Sequence, residues 1–341
     1  MKSSVNEKTT SKTDTRSATI VRIREAFENA GRILVVSHLD PDGDALGSQL
    51  AIGAYLRDLG KSVTMVRDSE IPEKYRFLPG VEGIVEVSSL PDDFAVDAAV
   101  VLECPTLARV GSAARYLTDS VKIINIDHHP DALDLGAINW IETTMSSVGE
   151  MVYEFFEAVD YDMNSAVATS LYTAIMTDTG RFRYPSTTRR TMEIAGALIE
   201  AGADPHHVCD MVYYNMRPST LNLTGQILHG VEFHFDNRVC LLTMTREMLK
   251  SAGAQSSESE GMVDYTLYSR GVVAGALLKE VSDRCTKVSL RARDGVNVAQ
   301  VAHEFGGGGH FSAAGCQIDL PLAEAKAALL DLLRKAVDER G

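Results

Sequence analysis

Paired cysteines, long apolar runs and basic charge are all scarce in this 341-residue chain, and each shortage excludes something. Its five cysteines (Cys104, Cys209, Cys240, Cys285 and Cys316) are odd in number, scattered, and never spaced C-x-x-C. That pattern argues against a disulfide framework or a thiolate zinc site and places the chain in a reducing cytoplasm. No apolar stretch reaches the roughly 18 to 20 residues that span a bilayer, which excludes a membrane partner. The first 18 residues are polar and rich in Ser, Thr and Lys, without a signal-peptide core. Residues 1–19 are therefore expected to be a disordered tail.

Basic residues number 33 against 47 acidic ones, a net charge of −14. Residues 231–341 are nearly balanced, with 13 basic and 15 acidic, and residues 1–19 carry 4 and 2. The whole excess therefore lies in 20–230. Long duplex nucleic acid, which is held by many phosphate–cation contacts, is a poor partner for such a surface. A short single strand or a small phosphorylated nucleotide is the easier ligand, and bound divalent cations would offset part of the acid. Nothing here fixes the oligomeric state; a homodimer stays open.

Alternating short apolar runs and amphipathic stretches predict an α/β fold. Strands are expected at 33–36, 63–66, 98–102 and 122–126, with helices at 20–30, 44–59, 148 onward, 165–176 and 188–201. The resulting sheet should be mostly parallel and covered by helices on both faces. Ser147 and Glu150 fit a capping box that starts the third of these helices. Residues 205–230 read as a helical connection. Strands at 239–243, 272–278 and 287–292, with helices at 298–304 and 322–337, make 231–341 a smaller α+β domain, and the active-site cleft is expected between the two domains.

Polar residues gather at the C-terminal ends of the predicted strands, where open α/β sheets place their ligands. The first strand delivers His38, Asp42 and Asp44, with Pro41 and Gly43 suited to a tight turn. The strand at 98–102 ends in Glu103, and that at 122–126 runs into Asp127-His128-His129. Asp178 follows a helix in Thr177-Asp178-Thr179-Gly180. Four carboxylates (Asp42, Asp44, Glu103 and Asp178) and two imidazoles (His38 and His128) make an oxygen–nitrogen donor set. It favours two divalent ions, Mn²⁺ first, with Mg²⁺, Co²⁺ or Fe²⁺ as substitutes. A pair of ions bridged by a carboxylate suits in-line phosphoryl displacement. Further along, Gly306 to Gly309 precede His310. Their side-chain-free amides suit close approach to an anion, and Ser312-Ala313-Ala314 is expected to open a short helix aimed at it. Arg291 is a candidate bidentate donor to the same group. His206, His207, His229, His234 and His303 are read as surface or structural, and Trp140, Tyr213 and Tyr214 as packed in cores or interfaces.

Taken together, His38-x-x-Pro41-Asp42-Gly43-Asp44-Ala45-x-Gly47-Ser48, Asp127-His128-His129, Thr177-Asp178-Thr179-Gly180 and Gly307-Gly308-Gly309-His310-x-x-Ala313-Ala314-Gly315 resemble the DHH phosphoesterase family. The likeness spans nearly the whole chain, the last motif belonging to the DHH-associated substrate domain. The layout is similar to the nanoRNases, which trim very short RNAs and dephosphorylate 3′-phosphoadenosine 5′-phosphate. The resemblance implies a catalytic domain over 20–204 and hydroxide activated by two metals. His38 and Asp42 would bind one metal and Asp44, His128 and Asp178 the other. His129, oriented by Asp127, would act at the scissile phosphate. Arg109, Arg291, Gly307, Gly308, Gly309 and His310 would hold the rest of the substrate. Glu103 departs from the family, which normally places a bridging Asp there ahead of an Arg-x-Gly; here Arg109-Val110-Gly111 follows. Cyclic di-AMP or pApA hydrolysis is the alternative reaction, and a catalytically weak nucleotide-binding regulator the alternative class.

Overall fold

Strands with no polar face need cover on both sides, and the first half of this chain is built around that requirement. The computed structural model describes residues 6–293 and 295–339. The chain divides into two units, Met1–Asn215 and Met216–Gly341. In the first, the elements run α1 (Asn6–Asn29), β1 (Arg32–Val36), α2 (Gly43–Asp58), β2 (Ser62–Arg67), β3 (Ile84–Glu86), β4 (Ala98–Leu102), β5 (Lys122–Asp127), β6 (Ile138–Ile141), α3 (Val148–Ala158), α4 (Ser165–Asp178), α5 (Arg189–Glu200) and α6 (Pro205–Cys209).

The sheet has the order β3-β2-β1-β4-β5-β6 and is parallel throughout. Ile33, Val35, Val100 and Leu102 face a large core shared with the α-helices. Their neighbours Leu34, Val36, Ala99 and Val101 face the other way, into a smaller core. The second face is covered by 3-10 segments, notably Leu107–Tyr116, rather than α-helices, because Gly111 at φ +70° breaks that stretch. Chain order reverses between β1 and β4, so a crevice opens at their C-terminal ends.

Two local expectations change. Helix α1 begins at Asn6, inside the segment expected to be a disordered tail, so that expectation fails from residue 6 onward. The stretch has no Pro or Gly to stop a helix, and Arg16 pairs with Glu142 and Glu154. The capping box at α3 is half formed: Ser147 Oγ accepts from the Glu150 amide at 3.0 Å, but the Glu150 carboxylate reaches Ser146 instead.

Helices α2 and α4 approach closely at Gly47, where a Cβ would lie 2.3 Å from the Ser170 carbonyl oxygen. Alanine in a helix is favoured over glycine by about 1 kcal/mol, but prising the two helices apart costs about 1–3 kcal/mol. Gly47→Ala is therefore expected to lower the urea midpoint. Gly196 in α5, with nothing within 4 Å of its Cβ position, is the control: Gly196→Ala should raise stability by about 0.5–1 kcal/mol.

The second unit contains α7 (Pro218–His229), β7 (Glu232–His234), β8 (Val239–Met244), α8 (Arg246–Ala252), β9 (Ala274–Ser282), β10 (Cys285–Ala292), α9 (Val298–His303), β11 (Gly308–His310), β12 (Ala313–Ile318) and α10 (Leu322–Asp338). Its sheet has the order β11-β12-β10-β9-β8-β7, antiparallel except between β8 and β9. Helices α9 and α10 pack on one face, while α7 and Met262–Tyr268 cover the β8–β9 part of the other. The 205–230 stretch is shared out: α6 belongs to the first unit and α7 to the second.

Candidate metal centre

Three adjacent strands deliver their next residues to one place. His38 follows β1, Glu103 follows β4, and Asp127 ends β5 with His128 and His129 beyond it. Asp42 and Asp44 come from the start of α2 and Asp178 from the end of α4. Three donor groups result, each with ligand atoms within 4.8 Å of one another: His38 with Asp42 and Glu103; Asp44 with His128 and Asp178; Glu103 with His128 and His129. That spacing is close to what donors bonded at about 2.1 Å to a common ion allow. Glu103 links two of the groups, and His128 does as well.

Backbone carbonyls orient two of the imidazoles. His38 Nδ1 lies 2.6 Å from the Leu39 carbonyl oxygen and His128 Nδ1 3.2 Å from that of Met145. A ring N–H donating there leaves Nε2 as the lone-pair nitrogen. Those Nε2 atoms lie 3.5 Å from Glu103 Oε2 and 3.5 Å from Asp178 Oδ2 respectively. Arg109 Nη2 is 3.4 Å from His38 Nδ1; with that nitrogen already donating to Leu39, the contact is proximity rather than a hydrogen bond. His129 is held by a carboxylate instead. Asp127 Oδ1 accepts from His129 Nδ1 at 2.7 Å and from the amides of His128 and His129.

Asp44 is fully buried and rests on the first turn of α3. Its Oδ2 accepts from the Val148 amide at 2.6 Å, and Oδ1 from the Gly149 amide at 2.7 Å and the Ser48 hydroxyl at 3.1 Å. Asp42 caps α2, its Oδ1 accepting from the amides of Asp44 and Ala45. The α3 amides, the Met145 and Leu39 carbonyls and Ser48 complete the constellation. Backbone groups leave no sequence motif of their own. The one available signal was the Ser147 cap, which marks where the α3 amides point.

Electrostatics separate the carboxylates. Burial, then the charges of Asp42, Asp44, Asp178 and Asp127, push Glu103 well above its usual pKa. Burial and the same kind of repulsion raise Asp178 well above its own, and Asp44 is raised too, burial again leading. Burial also pushes Asp42 up, but His38 and two amides outweigh it and its pKa falls below the usual value. Asp127 is likewise lowered, the His129 hydrogen bond overcoming burial. Glu103 Oε2 and Asp127 Oδ2 are buried and receive no hydrogen bond from the described residues. Orphaned carboxylate oxygens among like charges call for a cation, and this donor set fits divalent metal.

Residues 32–175 match the DHH family, N-terminal domain, and residues 237–339 match the DHHA1 domain. The bifunctional oligoribonuclease and PAP phosphatase NrnA of Thermus thermophilus is 32% identical over 94% of this chain and 94% of its own. The chain belongs to the DHH family. The Bacillus subtilis protein of the same name is 27% identical over 84% of this chain and 89% of its own. Among solved structures, an exopolyphosphatase-related protein from Bacteroides fragilis superposes with a TM-score of 0.89 at 28% identity, covering 93% and 96% of the two chains.

The DHHA1 unit carries the other candidate residues. Arg291 lies on β10, its Nε donating to Asp264 Oδ1 at 3.0 Å and its Nη1 to the Leu290 carbonyl. Gly308, Gly309 and His310 form β11, and Ala313 and Ala314 begin β12 in a tight antiparallel hairpin. The short helix expected at Ser312-Ala313-Ala314 is absent: Ser312 lies in the turn, and Ala313 and Ala314 are strand residues pinned between β11 and β10. Glycine is required here by packing: a Cβ on Gly307 would sit 2.2 Å from the Gly315 carbonyl oxygen. The Gly307 amide donates to the Ala302 carbonyl, so it is not one of the anion donors that the glycine run suggests. Strand β11 lies at the sheet edge, where alternate amides face away from the ladder.

Proposed function

We propose that this protein is a metal-dependent phosphoesterase that hydrolyses short oligoribonucleotides to mononucleotides and converts 3′-phosphoadenosine 5′-phosphate to AMP. The convergence of buried, orphaned carboxylate oxygens with carbonyl-oriented imidazoles beyond β1, β4 and β5 carries this reading. The names of the Thermus and Bacillus relatives supply the substrate class. His38, Asp42 and Glu103 would hold one divalent cation, and Asp44, His128 and Asp178 the second, Glu103 bridging. Mn²⁺ is the proposed ion, with Mg²⁺, Co²⁺ or Fe²⁺ as substitutes. Bound cations would lower the pKa of water and offset charge on the phosphoryl oxygens.

The chain's own groups do the rest. His129 is the proposed catalytic residue: Asp127 fixes its Nδ1, so its Nε2 is presented to a non-bridging oxygen of the scissile phosphate. A water oxygen attacks phosphorus in line, the opposite P–O ester bond breaks, and the departing oxygen takes up the proton that the water gives up. Arg109 contacts the phosphate from the first unit. Within the second unit, Arg291, His310 and the edge amides of the glycine hairpin would hold a phosphate group of a nucleotide. The five unpaired thiols fit a cytoplasmic setting, and no helix among the described residues is long and apolar enough to cross a membrane.

With Mn²⁺ supplied, the protein should release mononucleotides from a 5′-phosphorylated di- or triribonucleotide and inorganic phosphate from 3′-phosphoadenosine 5′-phosphate. Long RNA and cyclic dinucleotides should be turned over slowly. No turnover of any of these with all four metals would refute the enzyme reading. Preference for a cyclic dinucleotide would replace the substrate.

A further inference from the structure

The DHHA1 sheet has a second face of which the reading above uses only the Arg291–His310 row. Ala314, Cys316 and Ile318 of β12, with Val288 and Leu290 of β10, point into the core beneath α9 and α10. The residues between them point the opposite way, and the register sets them in rows. Arg291 is opposite Ala313, which is opposite His310. Ser289 is opposite Gly315, which is opposite Gly308. Lys287 stands between Gln317 on one side and Lys279 on the other. Paired residues share a face, so cationic or imidazole side chains occupy both ends and the middle row is a floor with only one hydroxyl. Met262–Tyr268 closes the β9 margin, where a Cβ at Gly275 would meet Thr266. The β10–β12 floor stays accessible: Ser289 and Gly315 are half-buried and Gln317 is exposed.

Two ammonium groups directly opposite one another in an antiparallel pair repel. Neither lysine has an ion-pair partner among the described residues. Burial first and the Lys287 charge second hold Lys279 below the usual lysine pKa, with Glu260 offsetting part of this. An anion seated between the two would relieve that repulsion. Lys287 and Arg291 are four residue steps apart on the strand, about 13 Å, which is more than one phosphate group spans.

We propose that Lys279 and Lys287 form a second phosphate site, making this face a track for the backbone of an oligonucleotide longer than two residues. The proposal rests on the phosphoesterase reading above. A mononucleotide bisphosphate reaches the Arg291–His310 row alone; a longer strand places another phosphate at the lysine row.

Equilibrium binding to the full-length chain, held in chelator to prevent turnover, tests this. The probes are a 5′-phosphorylated triribonucleotide and 3′-phosphoadenosine 5′-phosphate. The double variant K279Q/K287Q should bind the trinucleotide about 10-fold more weakly, with the salt slope of log Kd reduced by about 1. Binding of 3′-phosphoadenosine 5′-phosphate should be unchanged, and K279R/K287R should retain trinucleotide affinity. Unchanged trinucleotide binding in K279Q/K287Q overturns the site. Equal weakening of both ligands also overturns it, since the change would then act through the Arg291 row. If the unmodified chain binds neither nucleotide in chelator, the track is overturned, while the function reading is decided separately by turnover with metal supplied.

Discussion

Glu103→Gln should reduce kcat/KM with a short oligoribonucleotide by at least about 100-fold, and Glu103→Asp should fall by a similar factor rather than gain. Glutamine keeps the length but removes the charge from the one carboxylate shared by two donor groups. Aspartate keeps the charge and tolerates the backbone, since Glu103 sits at φ +57°, a region Asp enters readily. It shortens the arm by one methylene, however, and withdraws the oxygen now 3.5 Å from His38 Nε2. A misplacement of about 1 Å costs about 100-fold. Side by side, kcat/KM and Mn²⁺ affinity for the two variants decide the matter. A rise in turnover for Glu103→Asp would mean that glutamate is a handicap at this position, and would favour a nucleotide-binding regulator over an enzyme.

Stripping the metal should invert how stability responds to pH. Glu103 and Asp178 have folded pKa values well above their unfolded ones. Just above the unfolded values, the metal-free folded state therefore holds more protons than the unfolded chain. Its stability is fully present below the unfolded pKa values and declines as pH rises through the folded ones. In chelator, the midpoint of thermal unfolding should fall from about pH 5 toward about pH 7. Mn²⁺ should raise that midpoint, more so at the higher pH, because its ligands must be deprotonated. Calorimetry in buffers of different ionisation enthalpy should then show net proton release on binding. A metal-free Tm that climbs across this window, or binding without proton release, would mean that these carboxylates are already ionised.

Much of the first unit can be read before any coordinate is known, because its strands are short apolar runs with polar residues at one end. The 98–102 strand matches to the residue. Edge strands β3 and β6 are missed: Ile84–Glu86 offers three residues and one buried side chain, too little for periodicity. At the metal centre, side chains with chemistry of their own stand out, while the groups that aim them do not. Met145 and Leu39 act through carbonyls, and Val148 and Gly149 through amides, which any residue except proline could provide. The glycine run is only partly legible for a related reason. Its composition suits an anion loop, but Gly307 and Gly309 are small because β12 packs against them, a tertiary contact that composition does not encode.

The seat of Asp44 has a consequence for how the centre is lost. Its carboxylate is gripped by peptide groups of the opening turn of α3, and a methyl at residue 149 would crowd both Ala174 and Asp44 itself. Fraying of that single turn would release the aspartate, so melting of the helix start and departure of the ion it serves should occur as one event. Hydrogen exchange at residues 148 and 149 would then report occupancy of the centre directly, without any substrate present.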